Sequence, residues 1–112
     1  MNLAMYILVN PNLKLEKLEL AKLVSSSLAR FYKNKTYSEE LMSDYMVSQK
    51  KIILKCPEEI LSKYSTNENI TIQLNTFDKS KSDDIVCVNI GIFDRDKNEV
   101  PDDIKKLKLY SR

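Results

Sequence analysis

The side chains that could do chemistry in this sequence are mainly cations near its amino end. Residues 1–35 hold six basic and two acidic side chains, a local charge of +4, whereas all 112 residues together carry +2. The basic residues are Lys14, Lys17, Lys22, Arg30, Lys33 and Lys35. Cations at this density suit an anionic partner such as a phosphate backbone. The same pattern is typical of a helix face that is simply solvated, and the sequence leaves both interpretations open.

Composition excludes several classes of active site. The chain has no histidine, which removes Ser-His-Asp and Cys-His nucleophilic sites and most zinc sites. Gly91 is the only glycine, so neither a dinucleotide-binding loop nor a Walker-type loop can form. Cys56 and Cys87 are isolated in sequence, which predicts buried thiols in a reducing, cytoplasmic compartment. We expect no bound metal and no cofactor, and no apolar run is long enough to span a membrane.

The apolar pattern predicts one α/β domain over residues 1–112. Strands are expected at 5–9, 51–55, 70–74 and 85–90, and helices at 17–33, 39–49 and 57–64, with a short terminal element at 104–110. This order predicts a four-stranded mixed sheet with helices packed on it. The link between the last two strands has about ten residues, too few for a usual parallel crossover, so these strands should be antiparallel neighbours.

The helices show which side chains should face the sheet. The inward residues predicted for the two long helices are Leu20, Ala21, Val24, Leu28, Phe31, Leu41, Met42, Tyr45 and Met46. Ser38, followed by Glu39 and Glu40, is the predicted N-cap of the second helix. Leu18 and Leu23 flank the apolar stripe of the first helix, and if the chain is an interaction or homodimer-forming domain they are expected to be exposed.

The chain resembles the peptidyl-tRNA hydrolase 2 family over nearly its whole length. The similar stretches are NLKLEKLELAKLVSS at 12–26, QKKIILK at 49–55, ITI at 70–72, VCVNIG at 86–91 and LKLY at 107–110. They correspond to the family's DLKM start and first helix, its second strand, the strand before its RDAGRTQ loop, its VLAIGP strand and its closing LKLL. The resemblance implies the family's fold and hydrolysis of the ester between a peptide and tRNA.

Most active-site positions of that family hold other residue types in this chain. The family's lysine, glutamine and histidine fall on Glu19, Leu23 and Ser26, and its loop aspartate falls near Asn75. Glu19 reverses the charge at its position and would repel a nearby phosphate. We therefore expect impaired hydrolysis.

Hydrolysis would need a base for the attacking water and a donor for the oxyanion. Asp78, Asp83 or Asp84 could act as the base and Lys17 or Lys22 could stabilise the oxyanion, while the resemblance places Asn75 at the position of the loop aspartate. The alternative is that these side chains are solvated loop carboxylates and helix-face lysines. The tRNA phosphates would contact Lys14, Lys17, Lys22 and Arg30.

Three functions remain open at this point. The chain could be a diverged hydrolase acting on peptidyl-tRNA, or a module that binds tRNA or a protein without catalysis. It could also be a homodimer-forming domain, in which exposed Leu18 and Leu23 contact a second copy.

Overall fold

The computed structural model describes residues 2–11, 16–34, 37–65, 70–73 and 85–110. The elements are strand β1 (Leu3–Val9), helices α1 (Lys17–Asn34) and α2 (Glu39–Ser48), strand β2 (Lys51–Lys55), helix α3 (Glu58–Tyr64), strands β3 (Ile70–Gln73) and β4 (Ile85–Asp94), a 3-10 turn (Arg95–Lys97) and helix α4 (Asp102–Lys105). The predicted class, a small α/β domain with a mixed sheet, is confirmed.

Strand β1 lies inside the sheet. It pairs in parallel with β2, where Met5 lies opposite Lys51, and antiparallel with β4, where Leu3 lies opposite Asp94. Strand β3 pairs antiparallel with the other side of β4, so the strand order is β2-β1-β4-β3. All seven residues of β1 are buried, which explains their nearly continuous apolar character.

Two apolar layers cover the two faces of the sheet, because successive side chains of a strand point to opposite faces. Met5 and Ile7 belong to the α1 core, which Phe31 and Tyr45 complete from the helices α1 and α2. Leu8 faces the other way into the α3 core, which includes Tyr6, Leu61 and Ile104.

The buried face of α1 differs from the predicted one. Leu23 is only 4% exposed and lies in the α1 core, so the expectation that it is exposed is wrong, whereas Ala21 is exposed. The centre of this face is Ser27, which is fully buried, and its hydroxyl is satisfied by donating to the Val24 carbonyl at 2.8 Å. Because Ser27 is polar, it interrupts the apolar pattern in the sequence, and the pattern therefore did not predict the buried face correctly. In α2, Met46 is also exposed rather than inward.

Helix α2 begins as predicted. The Ser38 hydroxyl accepts a hydrogen bond from the Leu41 backbone N–H at 3.2 Å, and Glu39 and Glu40 occupy the first turn. The helix ends at Gln49, which has a left-handed φ of 50° and donates its N–H to the Tyr45 carbonyl.

Gly91 lies at a bulge between β1 and β4. The register shifts there, with Tyr6 opposite Gly91 and Ile7 opposite Asn89. Gly91 has a φ of +98°, and its N–H donates to the Asn89 side-chain oxygen at 2.9 Å. The Tyr37 hydroxyl accepts from the Ile92 N–H at 3.2 Å, which brings the phenol directly over this backbone.

Segment 107–110, which follows α4, runs antiparallel to β2. Lys55 donates its N–H to the Lys108 carbonyl at 2.9 Å, and Tyr110 donates to the Ile53 carbonyl at 2.8 Å. Leu107 packs against the α3 core and Tyr110 against the α1 core. The segment therefore contacts both layers.

An ionic link joins α3 to α4. Lys63 Nζ lies 2.8 Å from Asp103 Oδ2, and the Tyr64 hydroxyl donates to Asp103 Oδ1 at 2.7 Å. These hydrogen bonds from Lys63 and Tyr64 hold the pKa of Asp103 below its ordinary value of 3.8. Burial, together with the Asp103 carboxylate, raises the pKa of Tyr64 to about 12.

This link predicts a loss of stability at both extremes of pH. The pKa of Asp103 is lower in the folded state, so its contribution is complete above pH 3.8 and is lost as the pH falls through the folded value. The pKa of Tyr64 is higher in the folded state, so its contribution is complete below pH 10 and is lost as the pH rises towards about 12. Urea unfolding across both ranges measures the two effects.

Comparison of D103N with D102N isolates these effects from the titration of other groups. Asp102 is its chain neighbour and lies 3.9 Å from Lys105, an exposed pairing that should contribute little. We expect D103N to flatten the acid end of the stability profile. At the alkaline end D103N should reduce the loss only in part, because burial is the larger cause of the raised pKa of Tyr64 and remains in the variant. D102N should leave both ends unchanged. Equal profiles for the two variants would contradict the prediction.

Candidate functional site

The start of α1 is the place where the family resemblance puts a catalytic lysine, and Glu19 occupies it. The Glu19 carboxylate accepts a hydrogen bond from the Glu16 backbone N–H at 3.3 Å, while the Leu20 N–H donates to the Glu16 carbonyl at 2.9 Å. A carboxylate in the first turn also suits the positive end of the helix dipole. Glu19 therefore serves to begin the helix.

The two other positions on α1 where this chain differs from the family pattern are buried or half-buried. Leu23, at the glutamine position, is packed in the α1 core and has almost no accessible surface. Ser26, at the histidine position, is half-buried. Neither side chain offers a group that could take a proton from water at neutral pH.

The cations of α1 form an extended surface. Lys17, Lys22, Arg30 and Lys33 are all exposed. At 1.5 Å per residue, they are spread over about 24 Å of helix. Lys22 and Lys33 are eleven residues apart, close to three full turns, and so lie on the same side of α1. Glu19 is the only acidic residue of this helix.

This spacing decides what the four side chains can do together. Lys17 and Arg30 lie thirteen residues apart, about 20 Å along the axis, and cannot meet at one reacting atom. The surface suits contacts with successive phosphates of a polyanion better than stabilisation of a single oxyanion.

Several predicted site residues lie outside the described part of the chain. These are Lys14 and Asn75, with Asp78 and the alternative bases Asp83 and Asp84. Of the predicted catalytic set, the structure therefore places only Lys17 and Lys22, both on the surface of α1.

The two cysteines are buried, as predicted. Burial raises the pKa of Cys87 to about 12, and burial together with the Asp103 charge does the same for Cys56. Both thiols are protonated at neutral pH and are poor nucleophiles. Among the described residues, no three cysteine, aspartate or glutamate side chains are grouped to hold a metal ion.

Asn10 is a buried polar residue that the sequence pattern assigned only to a turn. It follows β1, donates its backbone N–H to the Val86 carbonyl at 2.9 Å and donates its side-chain amide to the Ile85 carbonyl at 3.2 Å. These bonds join the end of β1 to the start of β4. The run Asn-Pro-Asn after an apolar strand was the available signal, because buried amides of this kind commonly fix strand ends.

Models of known protein families give no match to this chain, and a search of curated proteins finds no relative. In the ranges that the structure describes, no helix is both long and apolar enough to cross a membrane.

Proposed function

We propose that this chain is a peptidyl-tRNA hydrolase 2-like domain that binds the phosphate backbone of tRNA along α1 and has impaired hydrolytic activity. The observation that carries the proposal is the set of exposed cations on α1, of which Lys22 and Lys33 share one side, with Glu19 as the only acidic residue of that helix. The element order, the sheet order β2-β1-β4-β3 and helices on both faces support the family assignment.

Phosphate binding follows from the length and charge of this surface. Each phosphate neutralised by a lysine or arginine releases counterions, which makes binding strongly dependent on salt. Such contacts carry no base sequence information, so we expect similar affinity for different tRNAs. The Glu19 carboxylate is partly compensated by its hydrogen bond to the Glu16 N–H, which lessens its repulsion of phosphate.

Impaired hydrolysis is supported by the groups that occupy the motif positions. Leu23 is core, Glu19 begins the helix, and the chain has no histidine to act as a base. A remaining active site would depend on Lys17 or Lys22 together with residues 74–84.

A homodimer is the second candidate, and exposed Leu18 favours it. This side chain is 67% exposed on α1, as the sequence predicted. Leu23 is removed from that interface because it is buried, so dimerisation would have to use Leu18 and its exposed neighbours.

The test compares tRNA binding by two doubly substituted, charge-matched variants. Lys22→Gln with Lys33→Gln removes two cations from one side of α1, and Lys97→Gln with Lys106→Gln removes two exposed cations elsewhere. Fluorescence anisotropy over a range of salt concentrations should show weaker binding by the α1 variant. The slope of log K against log salt should fall by about 2 in magnitude, one for each lost phosphate contact. The control variant should keep the original slope.

Peptide release from peptidyl-tRNA is measured on the same samples. We expect little or no turnover by the unsubstituted protein. Efficient turnover that Lys22→Ala abolishes would show a rebuilt active site and overturn the impaired-hydrolase part. Salt-independent binding, or equal losses in both double variants, would overturn the tRNA-binding part. Concentration-dependent dimerisation abolished by Leu18→Ser would then favour the second candidate.

A further inference from the structure

A concave site lies on the face of the sheet away from α1. It is a cleft of about 460 Å³ between strands β1 and β2 on one side and α4 with segment 107–110 on the other. This volume lies within the range of small-molecule sites. Most of its wall is apolar and includes Tyr6, Ile52, Leu54, Val100, Ile104 and Leu109.

The charged side chains that line this cleft are both cations, Arg95 and Lys105. Lys105 Nζ donates to the Asn98 side-chain oxygen, which holds the ammonium at the cleft. Arg95 is exposed, and within the described ranges it forms no ion pair. Its guanidinium is therefore an available planar donor beside an apolar wall.

The acidic residues nearby do not line the cleft, although Asp102 lies 3.9 Å from Lys105 in an exposed pairing. Asp94 Oδ1 accepts from the backbone N–H groups of Asn2 and Asp96, whereas Asp94 Oδ2 is buried and accepts no hydrogen bond within the described ranges. The Glu99 carboxylate accepts from the Asp94 N–H at 2.8 Å. Asp103 is bound by Lys63 and Tyr64. None of these carboxylates lines the cleft. Its lining thus combines an apolar wall with positive charge.

We infer that this cleft binds a small amphipathic carboxylate, with its aliphatic chain against the apolar wall and its carboxylate on Arg95. Burial of an alkyl chain against the apolar wall is favourable because it removes apolar surface from water. The guanidinium matches a carboxylate through two parallel hydrogen bonds, which a neutral head group cannot form equally well. This site is separate from α1 and does not depend on tRNA binding.

The chain has no tryptophan, so a single introduced indole can report on the cleft. Leu109 lines the cleft and is 66% exposed, which makes Leu109→Trp a tolerable substitution. Octanoate is the probe, titrated below its micelle concentration and compared with octanol and octyltrimethylammonium. We expect a saturable blue shift of the emission with octanoate, a weaker one with octanol and none with the cation.

Charge dependence is tested in the same background. Arg95→Gln should weaken octanoate binding about tenfold, the value of one charged hydrogen-bond pair. Lys97→Gln removes a nearby exposed cation that does not line the cleft and should leave binding unchanged. Equal affinities for octanoate and octanol, or no effect of Arg95→Gln, would overturn the proposal.

Methyl NMR of the unsubstituted protein makes the test independent of the tryptophan variant. Octanoate should shift the methyl signals of Ile52 and Ile104 before those of Ile7, which lies in the α1 core. Shifts spread over both cores would overturn the site. Binding to phosphatidylglycerol vesicles without binding of free octanoate would instead assign the cleft to a lipid surface and would also overturn it.

Discussion

Replacing Gly91 with alanine is expected to lower the free energy of unfolding by about 3 kcal/mol or more. Gly91 has a φ of +98°, a conformation that residues with a Cβ rarely adopt. A Cβ at this position would lie 2.5 Å from the Tyr37 hydroxyl oxygen. The substitution therefore adds backbone strain and also displaces the phenol that accepts from the Ile92 N–H. Urea unfolding measures the loss.

A double-mutant cycle with Tyr37→Phe separates these two causes. Without the hydroxyl, the nearest atoms to the new Cβ are the Phe31 ring at 3.7 Å and the carbon that carried the oxygen at 3.8 Å, both ordinary contacts. Tyr37→Phe alone should cost about 1 kcal/mol because it leaves the Ile92 N–H without this partner. The combined variant should then be less destabilised than the sum of the two single changes. Strictly additive losses would show that the clash is relieved without cost.

Replacing Phe31 with alanine is expected to cost about 3–5 kcal/mol. Phe31 is 1% exposed, and its ring lies 5.7 Å from the Tyr37 ring, centroid to centroid. It packs between α1 and strand β4 near the bulge, and core side chains generally relax only partly into the space that a removed phenyl ring leaves. Thermal and urea unfolding of the full chain give the change in free energy.

Tyr32→Ala is the matched control for Phe31→Ala, because it removes an aromatic ring from the next position of the same helix. Tyr32 is 45% exposed and touches Phe31 only in an edge-on arrangement at 5.4 Å between centroids. Its loss should cost less than about 1 kcal/mol. Similar losses for the two variants would mean that Phe31 contributes through helix propensity rather than through the core.

Local signals in the sequence predicted much of the fold. The bounds of β2 and the cap of α2 follow from short-range patterns, and the structure places both where the sequence does. Strand β4 continues to Asp94, beyond the predicted end at Ile90, because the bulge allows Gly91 to stay in the sheet. The contact of Tyr37 with Ile92 spans 55 positions, and no local pattern predicts it.

The features of the candidate sites also divide into those that local sequence patterns predict and those that depend on contacts between distant residues. Exposure of Lys17 and Lys22 follows from helical periodicity. Burial of Leu23 does not, because the buried Ser27 is polar and interrupts the apolar pattern that would mark the inward face. The apolar cleft was not predicted, because two strands, a turn, α4 and segment 107–110 form it together. Side chains that lie so far apart in the sequence do not form a motif with a regular spacing, so the sequence does not indicate that they line one cleft.

Segment 107–110 also has a consequence for solubility. An open strand edge is a template on which another chain can add a strand and begin a fibril. Here the outer hydrogen-bonding groups of Lys55 and Ile53 are already occupied by Lys108 and Tyr110. The solvent-exposed edge of the sheet on this side is therefore the short segment 107–110, with Lys106 and Lys108 in or beside it. Short length and positive charge both disfavour the addition of another strand. Pairing of its own backbone at this edge is therefore expected to disfavour strand addition on this side of the sheet.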